Sequence, residues 1–160
     1  MRRRSLLPAL LLLLAAAPAT AQQIDPRDEV LAVAQQLFDA MEAKDTAAMR
    51  AAFAPGALLL GLRTRADGTV AYQRLTIDDF VAFLARDTRG AWVERAFHPE
   101  VRISGTLATV WADYDFHLGG NFSHCGVDAL QLLRFEDGWK IVSLADTYVR
   151  EGCPARPPLE

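Results

Sequence analysis

The sequence predicts an α+β domain: a curved antiparallel sheet with three N-terminal helices on its concave face. Three observations carry this reading. Val101 to Tyr148 alternates as a meander of long strands, whereas the apolar residues of the first half recur at helical spacing. Turn and cap signals then order the chain as helix, helix, hairpin, helix and four strands. Helices and strands segregated in this way stack as two layers, and short helices leave part of a concave sheet uncovered. A pocket at the open end follows.

Asp25-Pro26 opens the first helix, with Asp25 as N-cap and Pro26 at the first position, where its missing N–H costs nothing. Val30, Val33, Ala34, Leu37, Phe38 and Met41 form its apolar stripe. Asp45 or Thr46 caps a short second helix that Pro55-Gly56 stops. Leu58 to Arg63 and Val70 to Arg74 read as a hairpin around Ala66-Asp67-Gly68. Thr76-Ile77-Asp78-Asp79 is a capping box for a third helix, which carries Phe80, Val81, Phe83 and Leu84 and ends near Gly90. Trp92 to Ser104 is extended and bends at Pro99, because a proline inside a strand marks an edge or a bulge.

Leu107 to His117 puts Ala108, Val110, Ala112, Tyr114 and Phe116 on one face. Leu107, Thr109, Trp111, Asp113, Asp115 and His117 lie on the other, and the last three of these read as solvent-facing. Leu118 to Asn121 is a turn, followed by strands Cys125 to Phe135 and Trp139 to Tyr148. A two-residue turn at Asp137-Gly138 pairs Arg134 with Ile141, Leu132 with Ser143, Leu130 with Ala145 and Asp128 with Thr147. A slip of one residue would set Arg134 against Lys140 and Asp128 against Asp146, two like-charge pairs. Trp139, Ile141, Leu130, Leu132 and Ala145 then share an apolar face with Asp128.

Residues 1–21 read as a signal peptide: Arg2 to Arg4 basic, Leu6 to Ala17 apolar, and Ala19-Thr20-Ala21 a cleavage site. An apolar run of 12 residues is too short to span a bilayer, which places the protein in the periplasm or outside the cell, with no membrane contact after cleavage. Residues 22–153 form one domain and 154–160, rich in proline, a flexible tail. Loss of the leader's three arginines takes the net charge from −3 to −6, which argues against nucleic acid as a partner. Cys125 and Cys153, 28 residues apart in an exported chain, are expected to form a disulfide.

The runs KDTAAMRAAFAPGA (Lys44 to Ala57), VWADYDF (Val110 to Phe116), HCGVDALQL (His124 to Leu132) and GWKIVSLADT (Gly138 to Thr147) resemble the nuclear-transport-factor-2-like superfamily. Within it, the chain is similar to small exported bacterial members labelled lumazine-binding or polyketide-cyclase-like. The resemblance implies a cone-shaped fold with an interior pocket, and a homodimer through the outer sheet face. Ketosteroid isomerases of the superfamily use a general-base carboxylate, but Leu58-Leu59-Leu60-Gly61 offers none after the first helices.

Asp128 is the leading candidate for chemistry, an acid on an apolar face whose pKa burial would raise into general acid–base range. The same position also suits a structural aspartate, paired to an arginine or accepting a backbone N–H, which is the more common case. His124 shares the parity of Asp128 and suits the pocket mouth or an exposed role. Tyr114 either points its hydroxyl into the pocket or satisfies a core hydrogen bond. Glu94 is a second carboxylate if it faces inward, and otherwise a solvated edge residue. His98, His117 and His124 lack metal-ligand spacing, and there is no phosphate loop, no nucleophile elbow and no C-x-x-C, so neither metal nor cofactor is expected. Three readings stay open: a domain binding a small apolar ligand, an enzyme moving a proton on an apolar carbonyl compound through Asp128 with Tyr114 or His124 as donor, and a protein-interaction module. Trp111, a large aromatic on a polar face, marks the surface expected to form the homodimer.

Overall fold

Local signals set the helices of the computed structural model, which describes residues 24–65 and 67–159. The leader, residues 1–21, lies outside the described residues, as does Ala66 of the hairpin turn. Helix α1 (Pro26–Ala43) starts where the Asp25 carboxylate accepts from the Arg27 amide and ends where Lys44 turns left-handed. Helix α2 (Thr46–Ala52) is capped by Asp45, which accepts from the amides of Ala47 and Ala48. The Thr76–Asp79 capping box opens α3 (Ile77–Arg86). That helix buries Ile77, Val81 and Leu84 but leaves Phe83 on the solvent side.

Six strands make one curved, open sheet: β1 (Phe53–Thr64), β2 (Val70–Thr76), β3 (Trp92–Ser104), β4 (Leu107–Leu118), β5 (Asn121–Phe135) and β6 (Gly138–Asp146). Their order is β2-β1-β6-β5-β4-β3. The sheet is mixed rather than purely antiparallel, because β1 runs parallel to β6 while every other pair is antiparallel. Helices and sheet share one core, with Val30, Leu37, Met49, Leu84, Leu130, Leu132 and Ile141 fully buried.

Besides a register shift in β1 between Phe53 and Leu58, three irregularities shape the sheet around the concave face. In β3 the pairing shifts by one residue between Phe97 and Glu100, at the bend expected for Pro99, and His98 takes a positive φ of 51° there. In β5 it shifts just before His124, where Ser123 is the extra residue.

The third irregularity corrects the expected hairpin. Phe135 pairs with Gly138, so Glu136-Asp137 forms the turn. Arg134 opposes Trp139 and Leu132 opposes Ile141, but Gln131 opposes Ser143, which leaves Val142 as an extra, unpaired residue. This bulge reverses the side-chain parity of β6. Leu144 therefore occupies the inner position expected of Ala145, and Asp146 faces inward, directly opposite Asp128.

The outer face of β4 departs from the solvated row that alternation predicts. Asp115 is only 2% exposed, held by Arg95 through Nε–H···Oδ1 (2.9 Å) and Nη2–H···Oδ2 (2.6 Å). His117 is mostly buried beside it, its Nε2 3.6 Å from Asp115 Oδ2. The C-terminal segment covers this end: Arg156 donates to Asp113 (3.2 Å), and Arg95 donates to the Pro158 carbonyl (3.1 Å). Residues 154–159 carry no regular secondary structure but are anchored by these contacts. A Cys125–Cys153 disulfide ties the segment to β5, as the sequence predicts.

Candidate functional site

The concave side holds a cavity of about 300 Å³ between α1, α3 and the sheet. Leu37 and Met41 of α1, Phe80 of α3, and Leu59, Leu75 and Leu144 from the strands give it apolar walls. Trp92 and Phe116 continue the wall as an edge-to-face pair with centroids 5.9 Å apart.

Four candidates from the sequence, Glu94, Tyr114, His124 and Asp128, all line this cavity. Glu94 stands on an edge strand, but on its inner face, so it is not the solvated edge residue that position suggests. Asp128 is 3% exposed and has no arginine partner among the described residues; its hydrogen-bonding neighbour is the Glu94 carboxyl. Two carboxyl groups bond only if one carries a proton, and burial supplies the driving force for keeping it. Burial, then the neighbouring Asp128 charge, raises the Glu94 pKa well above the carboxylate range. Burial also raises Asp128 to about 7, against the stabilising bond from Glu94 and with the Asp146 charge adding to the rise. Glu94 is therefore the protonated member and Asp128 the one that ionises near neutrality. Among the described residues no donor reaches Asp128 Oδ2, which is buried.

Asp146 beside them is raised chiefly by burial, an effect opposed by Arg63, whose Nη2–H donates to Oδ2 at 2.6 Å. The pair fits because Gly61 faces it: a Cβ there would stand 2.6 Å from both Arg63 Nη1 and Asp146 Oδ1. Gly126 plays the same part for Tyr114, since a Cβ would meet the Thr147 carbonyl at 2.2 Å and the tyrosine ring at 2.8 Å. The tyrosine ring crosses this gap and donates its hydroxyl to the Thr147 carbonyl at 2.7 Å. Its proton is thus committed to the backbone, and burial pushes its pKa further up.

His124 is sandwiched between Tyr148 (3.9 Å between centroids) and Phe116 (4.8 Å), with its Nδ1 3.0 Å from Ser123 Oγ. Burial first, then Arg63 and Arg150, lower its pKa to about 4, so it is a neutral ring at physiological pH. Arg63, Arg89, Arg150 and Tyr148 complete the lining around it. Among the described residues, no group of three or more His, Cys, Asp or Glu is arranged to hold a metal ion.

The family described as "Putative lumazine-binding" matches residues 25–145. The chain belongs to this family. No curated protein matches the chain. Solved structures share the fold of this lumazine-binding family member at low identity. An NTF2-like protein from Cytophaga hutchinsonii has a TM-score of 0.66 at 14% identity, covering 79% of this chain and 100% of that one. An NTF2-like protein of unknown function from Shewanella baltica has a TM-score of 0.60 at 18% identity, covering 82% of this chain and 100% of that one. Another, from Methylobacillus flagellatus, has a TM-score of 0.59 at 21% identity and covers 81% and 96% respectively. The fold is that of the nuclear-transport-factor-2-like superfamily. The family match stops at residue 145, so Asp146, Tyr148, Arg150 and Cys153 lie beyond it.

Sequence reasoning did not find Arg63, Asp146, Tyr148, Arg89 or Arg150. Asp146 was hidden by the Val142 bulge. Arg63 reaches it only through the parallel β1–β6 pairing, which has no local signature.

Proposed function

We propose that this family member binds a small, ring-bodied apolar molecule in the cavity, and that it does so as an exported protein. The observation that carries the reading is the cavity itself: about 300 Å³, walled by Trp92, Phe116, Phe80 and aliphatic side chains, with the acids Glu94, Asp128 and Asp146 and the arginines Arg63, Arg89 and Arg150 also in its lining. Cavities of this size, mostly apolar with few polar groups, are the usual form of small-molecule sites. The buried Asp128 Oδ2, without a partner among the described residues, supplies an acceptor for a ligand N–H or O–H. The Cys125–Cys153 bridge supports an oxidising compartment, periplasmic or extracellular, and no helix among the described residues is long and apolar enough to cross a membrane.

Native mass spectrometry of the purified protein tests the reading. The expected result is a mass increment from a retained small molecule, lost in Leu75→Trp, which fills the cavity from its edge. An unaltered increment in that variant would place the molecule elsewhere.

A second reading is proton-transfer catalysis on an apolar carbonyl compound. Asp128, ionising near pH 7 beside a protonated acid, favours it as a general base. Tyr114, its proton bonded to the Thr147 carbonyl, is not its donor; the neutral His124 ring, which keeps one N–H, is. Turnover of a retained carbonyl ligand, abolished by Asp128→Asn, separates catalysis from binding alone. The open cavity weighs against a pure interaction module.

A further inference from the structure

We infer that the cavity mouth is an anion subsite, in which Arg150 and Arg63 receive a carboxylate-type group carried by the ring-bodied ligand. This rests on the small-molecule reading above and adds the ligand's charge and orientation. Three guanidinium groups line the mouth, and two have carboxylate partners: Arg89 pairs with Asp87, and Arg63 with Asp146. Among the described residues no carboxylate lies within ion-pairing distance of Arg150. Its Nε and Nη2 instead donate to the Tyr148 hydroxyl, at 3.1 and 2.9 Å. These two bonds hold the guanidinium fork in place and leave its charge unbalanced.

Arg63 and Arg150 flank the same ring, 5.0 and 5.4 Å from the Tyr148 centroid. Both also act on the neighbouring His124 imidazole, adding to the burial that chiefly depresses its pKa. Asp146 already occupies one side of Arg63, whereas Arg150 is exposed and the cavity's buried acid, Asp128, has an oxygen with no partner among the described residues, which repels an anion and favours a neutral donor. A ligand with one anionic group therefore enters ring first, with its apolar body against Trp92 and Phe116 and its charge left at the half-solvated mouth. That arrangement avoids the cost of burying the charge.

The test uses two matched probes, 2-naphthoate and its neutral isostere 2-naphthamide, titrated calorimetrically into the full mature protein at low salt. Naphthoate should bind at least tenfold more tightly than the amide. Arg150→Gln should remove about tenfold of the naphthoate affinity while leaving the amide within twofold, and Arg150→Lys should restore part of it. Arg102→Gln, on the outer face, should change neither. Equal affinity for the two probes, an equal loss for both in Arg150→Gln, or an equal naphthoate loss in Arg102→Gln would each overturn the anion subsite. If both probes bind alike, only the subsite fails; if neither binds up to millimolar concentration, the cavity-binding reading fails with it.

Discussion

Asp128→Asn separates the electrostatics of the cavity from its packing. The amide is isosteric, and its oxygen still accepts the Glu94 proton, so only the ionisation is removed. Asp128 is raised from an ordinary aspartate value to about 7, so the folded state holds its proton more tightly than the unfolded chain does. Stability from such a group is fully present below the unfolded pKa and is lost as pH rises through the folded one. At pH 5 the folded state is about two pH units below its titration point, worth ~3 kcal/mol; at pH 8.5 this contribution has gone. The wild type should therefore lose about 3 kcal/mol more than the variant between pH 5 and pH 8.5. Urea denaturation of both proteins at both pH values, with the disulfide intact, measures the change. A constant gap would refute the shared-proton pair. If instead Asp128 balanced a buried cation, the variant would be about 3–5 kcal/mol less stable at every pH.

Replacing Cys125 and Cys153 by serine should cost about 3.5 kcal/mol of unfolding free energy, the loop-closure value for a separation of 28 residues, read as a lower urea midpoint; an unchanged midpoint would count against the bridge as a stabiliser. Gly126→Ala should cost roughly 1–3 kcal/mol by displacing the Tyr114 ring, whereas Gly105→Ala, at an open turn, should not perturb that ring's near-ultraviolet signal. We also expect a homodimer through the outer face, where Trp111 is 56% exposed opposite Ala129 and Glu100; sedimentation as a monomer at high micromolar concentration would rule it out.

What could be read from the sequence was local. Asp25-Pro26 and Thr76 to Asp79 declared two helix starts because their caps act within three residues. Tyr114, His124 and Asp128 were placed inward by unbroken alternation along β4 and β5. Asp146 could not be, because Val142 inverts the parity of β6 without any glycine or proline to announce it. The like-charge rule that excluded an Asp128–Asp146 pairing also failed, for a chemical reason: Glu94 holds a proton against one acid and Arg63 neutralises the other. Asp115 was assigned to solvent because nothing in β4 reveals that Arg95 and the returning tail enclose it.

The rim of the cavity is built on a separate piece of chain. Past β6, Thr147 and Val149 bond to the edge of β5 through Val127 and Cys125, and the disulfide fastens the segment four residues beyond Val149. Tyr148 and Arg150 thus sit on a short strap clamped at both ends, while the opposite wall belongs to the main core. Straps of this kind open at far lower free energy than the whole domain unfolds. The residence time of any molecule held beneath Tyr148 is then governed by how often the strap lifts, so the bond between two cysteines at the outer face acts as a brake on release from the inner one.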